Sequence, residues 1–175
     1  MAGSIIKLFS GGSRLNRFWN ELEITLHEAC RLEVDRNPTV TQNELYSRLR
    51  KRFTLQPIVL LKLKSIEVDA APSPYECGGT TMSGYRAFAR VPFVGSPLLL
   101  QLRPEPGFTF PFSGKTTKNT LHLHTMLPDL DVGSFAQEVE AELARIGPLL
   151  HSMHPTISEY DARLAQRVRD KISTF

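Results

Sequence analysis

The segment FSGKTTKN, residues 112–119, carries the residue types of a phosphate-binding loop, with Gly114, Lys115 and Thr116 at its last three positions. Such a loop also needs a glycine at position 109, a strand before it and a helix after it. Position 109 is Thr109. Phe110, Pro111 and Phe112 fill the stretch where backbone amides would have to converge on an anion. The NTLHLHTML that follows alternates like a strand, so no helix N-terminus would face the phosphate. The segment is expected to be a basic hairpin turn, and no cofactor is assigned.

The histidines raise the question of a metal. His122 and His124 share one face of an expected strand, because side chains two apart point the same way. His151 and His154 lie one helical turn apart, and His27 with Cys30 repeats that spacing. Zinc takes such nitrogen and sulfur ligands in fours, or in threes with a water. Neither H-E-x-x-H nor C-x-x-C is present, so His122 and His124 remain candidates without a ligand set. Their other reading is the polar side of a half-buried strand. No G-x-S-x-G elbow occurs, and SIEVDA lacks the following E-x-K of a metal-dependent nuclease. No catalytic residue is assigned.

Basic residues suggest nucleic acid. TVTQNELYSRLRKRF is amphipathic and basic toward its end, like the second helix of a helix-turn-helix. Gln42 and Asn43 would then face bases, and Arg48, Lys51 and Arg52 phosphates. Lys62, Lys64, Lys115 and Lys118 are further phosphate candidates. Cations at a helix C-terminus also stabilise its dipole with no ligand at all.

The elements that must position these residues are legible from periodicity. Residues 13–33 are expected to form a helix capped by Ser13, with Leu15, Trp19, Leu22, Leu26 and Ala29 inward. A second helix starts at Thr41 with the capping box TQNE and buries Leu45, Leu49 and Phe53. From residue 57 the period shortens to that of a strand, with a parity slip near Ser65. Residues 70–84 look like a loop; 85–94, 97–103 and 120–127 look like strands. SFAQ at 134–137 and TISE at 156–159 match the capping box of two closing helices, the first weakened or kinked at Gly147 and Pro148. Arg163, Arg167 and Arg169, mixed with Asp161 and Asp170, suggest a solvated face of the last helix with pairs four apart. The expected fold is α+β in one domain spanning 1–175: helical over 13–53, a largely antiparallel sheet of four or five strands over 57–127, and an antiparallel helix pair over 134–173.

Composition sets the class. The chain has 175 residues, 41% hydrophobic and 22% charged, as expected of a globular domain that folds without staples. No apolar run approaches the roughly 18 residues that span a bilayer. MAGSIIKLFSGG is too short in apolar residues for a secretory leader, and Cys30 and Cys77 make no disulfide framework. A cytoplasmic protein that does not enter a membrane is expected. The net charge of +3 is compatible with nucleic acid without demanding it.

Three stretches carry a family resemblance: YRAFARVPFVGSPLLLQLRPEPGFTFP, NTLHLHTMLPDLDVGSFAQEVEAELARI and ISEYDARLAQRVRDKI. They resemble the N-terminal domain of uncharacterised bacterial proteins that often carry a C-terminal restriction-endonuclease-like PD-(D/E)xK domain. The likeness spans about half the chain. It includes the aliphatic-Pro-Phe-x-Gly turn and the helix start at Tyr160-Asp161. It implies sensing, targeting or assembly beside an effector nuclease, in defence against foreign DNA. It transfers no catalytic residue. Ending at DKISTF, where the last helix would lead into a linker, the chain is expected to be a piece of a longer protein.

The leading expectation is thus a non-catalytic recognition domain of a bacterial effector, binding an effector domain, a partner protein or nucleic acid. Two alternatives stand beside it: a nucleic-acid-binding module using the helix at 41–53, and a small metal-dependent hydrolase using His122 and His124.

Overall fold

The structure is a computed structural model and describes residues 15–61, 66–102, 109–117 and 119–174. Lys62, Lys64 and Lys118 fall outside these residues, as do the Ser13 cap and the parity slip at Ser65.

Helix α1 (Leu15–Arg36) buries Phe18, Leu22, Leu26, Ala29 and Cys30, a stripe at helical spacing. It outruns the expected end at residue 33. Asn37 closes it by donating its side-chain amide to the Glu33 carbonyl and carboxylate, both at 3.1 Å. Helix α2 (Gln42–Phe53) opens with the expected capping box. Thr41 Oγ1 accepts from Glu44 N and the Glu44 carboxylate accepts from Thr41 N, each at 3.3 Å. Leu45, Leu49 and Phe53 are buried, as their spacing requires.

Five strands form an antiparallel sheet: β1 (Val59–Leu60), β2 (Glu67–Pro72), β5 (Tyr85–Val94), β6 (Ser113–Thr117) and β7 (Thr120–Leu127). β1 and β2 lie end to end along one edge of β5; β7 takes the other edge and β6 closes the order. The two-stranded hairpin β3 (Tyr75–Cys77) and β4 (Thr80–Met82) stands apart from it.

Several sequence expectations need correction. Residues 70–84 are not a loop, because they hold the end of β2 and the β3–β4 hairpin. Gly78 and Gly79, at φ 59° and 80°, supply the two positive dihedrals that a two-residue hairpin turn demands. The strand expected from residue 97 is absent over 97–101. Pro97–Gln101 forms a 3-10 turn in which the adjacent Leu99 and Leu100 are both buried, and an alternating strand could not bury both. The Gly-Lys-Thr run is hairpin but not turn. Gly114 and Thr116 face inward along β6, and Ser113, Lys115 and Thr117 face outward.

Helix α3 (Val132–Ser152) begins before SFAQ, because Asp131 is the cap, its Oδ1 accepting from Ser134 N at 2.9 Å. It runs on through Pro148 to Ser152. Gly147 makes that possible, since a Cβ before proline clashes with the ring in helical geometry. Helix α4 (His154–Ile172) starts two residues ahead of TISE and uses no side-chain cap. Only Met153 separates the C-terminal pair. α3 lies on β1, β2 and β5, whereas α4 packs mainly against α2 and α1. Arg167 and Lys171 of α4 both pair with Glu23 of α1, and Arg169 sits 4.9 Å from the Tyr46 ring of α2. The basic residues of α4 thus knit helices together as well as facing water.

One continuous set of buried residues joins all of this. It runs from Leu26 through Leu49, the inward Ala87, Ala89, Val91 and Phe93 of β5 and Leu121 and Leu123 of β7, to Phe135, Ile146 and Leu164. The helices cover one face of the sheet. The other face is open among the described residues. No helix there is long and apolar enough to cross a membrane.

Candidate nucleic-acid interface

Strand parity builds the open face. With Ala87, Ala89 and Val91 inward, β5 must present Arg86, Phe88 and Arg90 outward. By the same alternation β7 presents His122, His124 and Met126, and β6 presents Ser113, Lys115 and Thr117.

Register then fixes their neighbours. Arg90 lies opposite Glu67 on one side and His122 on the other, and His122 lies opposite Lys115. The next row reads Asp69, Phe88, His124 and Ser113, and beyond it Arg86 faces Met126. Four strands make a surface about 14 Å across. Phe88 sits near its centre with 38% of its surface in water. Arg86 and Arg90 flank it along β5, each about 7 Å away.

The electrostatics are mixed, with three cations, Arg86, Arg90 and Lys115, against two carboxylates, Glu67 and Asp69. Arg90 Nη1 meets Glu67 Oε1 at 2.7 Å, but both side chains are more than half exposed, so the pair is weak and exchangeable. Asp69 accepts from Ala70 N at 2.8 Å. Burial lowers the pKa of both outward histidines below the ordinary 6.5. Lys115 and then Arg90 add to this at His122, and Arg86 and then Lys115 at His124. His122 Nε2 lies 2.6 Å from Thr117 Oγ1, which fixes its ring plane. The face therefore combines one phenyl and two imidazole surfaces with three cations and two carboxylates, an excess of one positive charge.

The sequence candidates divide between surfaces. Gln42, Asn43, Arg48, Lys51 and Arg52 are exposed on α2, which contacts α4 and α1. Arg52 lies 5.5 Å from the Phe53 ring and Arg50 donates to Tyr46 Oη at 3.3 Å. Lys115, His122 and His124 instead share the outer face of the sheet, so the two sets do not form one surface. Arg86, Phe88 and Arg90 were missed. Their signal was present in YRAFARV, where basic and aromatic residues alternate with small apolar ones.

The metal candidates do not converge. Among the described residues no group of three His, Cys, Asp or Glu side chains suits a metal ion. Cationic side chains surround His122 and His124 and oppose a further cation. Cys30 is fully buried, whereas His27 is exposed, and burial raises the Cys30 thiol pKa, with Lys171 pulling the other way. His151 and His154 have ring centroids 4.6 Å apart, but His154 is bound to the Ile58 carbonyl at 3.1 Å.

Comparison with protein-family models, with curated proteins and with solved structures gives no match, and so adds nothing to the resemblance drawn from the sequence.

Proposed function

We propose that this chain is a recognition domain that binds single-stranded nucleic acid on the open face of its sheet. Bases stack on Phe88 and on the His124 ring, while Arg86, Arg90 and Lys115 hold phosphates. The observation that carries the reading is the central position of exposed Phe88 between two arginines, beside His124. An aromatic ring exposed on an open sheet face gains from any base laid over it, by about 1–3 kcal/mol. A sheet face is too broad to enter a duplex groove, whereas unstacked bases can splay across it. Sequence preference is weak, because stacking accepts every base.

The test is fluorescence anisotropy with labelled single-stranded RNA and DNA heptamers. Three phosphate contacts on a single strand give a slope of about −2 in log affinity against log salt, roughly a 20-fold loss between 50 and 200 mM. Phe88→Ala weakens binding about 5- to 150-fold. A triple replacement of Arg48, Lys51 and Arg52 by alanine leaves it within about twofold if the sheet alone binds. Absence of binding at low salt, or loss in the α2 variant with Phe88→Ala unaffected, overturns the proposal.

A further inference from the structure

A second feature lies on the helix side of the sheet, away from the face just described. A cavity of about 650 Å³ opens between α3 and the edge strand β1. That size falls within the range of small-molecule sites. Its walls are mostly aliphatic, including Ile58, Val91 and Leu143, and the only rings lining it among the described residues are the imidazoles of His151 and His154.

Helix α3 shapes the space. Glu140, Ala144, Gly147 and His151 follow one stripe of the helix and all line the cavity. The small Ala144 and Gly147 open its middle, and a Cβ built at Gly147 would meet nothing within 4 Å. The polar side chains of this stripe stand at its two ends. Glu140 and His151 are eleven residues apart, about 16 Å along the helix. His154 joins His151 at the second end. A carbonyl can only accept, so the 3.1 Å contact to Ile58 O places a proton on His154 Nε2 and leaves Nδ1 for another partner.

We infer that this cavity is a binding site for a medium-chain aliphatic carboxylic acid. The chain lies along the aliphatic walls past Ala144 and Gly147. The carboxyl group meets His151 and His154; with Nε2 held by the Ile58 carbonyl, His154 Nδ1 accepts from the neutral acid and donates to a carboxylate only when it is protonated as well. Glu140 repels a carboxylate at the other end, which fixes the orientation of the chain. Glu140, His151 and His154 are the only titratable side chains among the described residues lining the cavity.

The test uses the full chain with dodecanoic acid, kept below its micellar concentration, and 1-dodecanol as the uncharged comparator. Calorimetry is expected to show one saturable dodecanoate site. Methyl NMR of the wild type is expected to show shifts gathered at Ile58, Val91 and Leu143. Ala144→Leu keeps a good helix former and fills the space; it should weaken dodecanoate at least tenfold and leave oligonucleotide affinity unchanged. His151→Gln combined with His154→Gln should weaken dodecanoate about fivefold and dodecanol by less than twofold. No saturable binding, methyl shifts scattered over the protein, or unchanged affinity in Ala144→Leu would overturn the site. Equal losses for acid and alcohol in the histidine variant would overturn the head-group assignment.

Discussion

Gly95 offers the sharpest test of how the sheet is joined to the helices. It follows the last residue of β5 and has a φ of +113°, a region that a side chain occupies only under strain. A Cβ built there would stand 2.2 Å from the Pro57 carbonyl oxygen and 2.9 Å from the Ile58 Cα. Both neighbours are backbone, so no side-chain rotation relieves the overlap. The surrounding chain is also tied, with Ser96 N donating to Gln56 O and Gln56 N to Ser96 Oγ, each at 2.9 Å. Gly95→Ala therefore adds about 1–3 kcal/mol of dihedral strain and about 1–3 kcal/mol for the forced displacement. Their sum of roughly 2–6 kcal/mol corresponds to a fall in Tm of about 4–24 °C for a chain of this size. Thermal and urea unfolding followed by circular dichroism would read it. Gly79→Ala is the control: its φ of 80° is also strained, but a Cβ there meets nothing within 4 Å, so only about 1–3 kcal/mol is lost. If Gly95→Ala is as stable as wild type to within about 0.5 kcal/mol, the close approach of residues 57 and 95 is wrong. The pairing of Val59 with Val94 would fall with it.

Other outcomes follow from particular residues. Thr41→Ala should cost about 1 kcal/mol by removing one arm of the capping box, read from the urea midpoint. His122 and His124 have folded pKa values below the unfolded value, so the unfolded chain takes up protons first as pH falls. Their contribution to stability is present above about pH 6.5 and is lost on acidification toward the folded values. The paired variant His122→Gln with His124→Gln should lose less stability than wild type on acidification, and equal pH profiles would contradict this. Bound polyanion should act in the opposite sense and raise both values, so oligonucleotide affinity should increase as pH falls through the same window.

Much of the fold was legible because its helices are strongly amphipathic. The stripe through Leu22 and Leu26, the TQNE box and the alternation of residues 85–94 each encode their element locally. Errors fell where a local signal had two physical readings. Leu98, Leu99 and Leu100 look like a strand until Pro97 is taken as the first residue of a 3-10 turn. Gly78-Gly79 looks like a loop until it is taken as a hairpin turn. Asp131 and Ser134 both make good caps, and the choice depends on where the chain leaves β7. The site was harder. His122, His124 and Lys115 could be placed on one hairpin from sequence, but their proximity to Phe88 depends on β5 lying beside β7. That pairing joins residues 28 to 42 positions apart, and nothing in either segment names the other.

The most direct test of the account is residue-resolved amide mapping of the protein titrated with a single-stranded heptanucleotide. The account predicts shifts concentrated on Arg86–Arg90 of β5, His122–Met126 of β7 and Ser113–Thr117 of β6, with α2 unmoved. Shifts gathered on Gln42–Phe53, or none at saturating oligonucleotide, would contradict it.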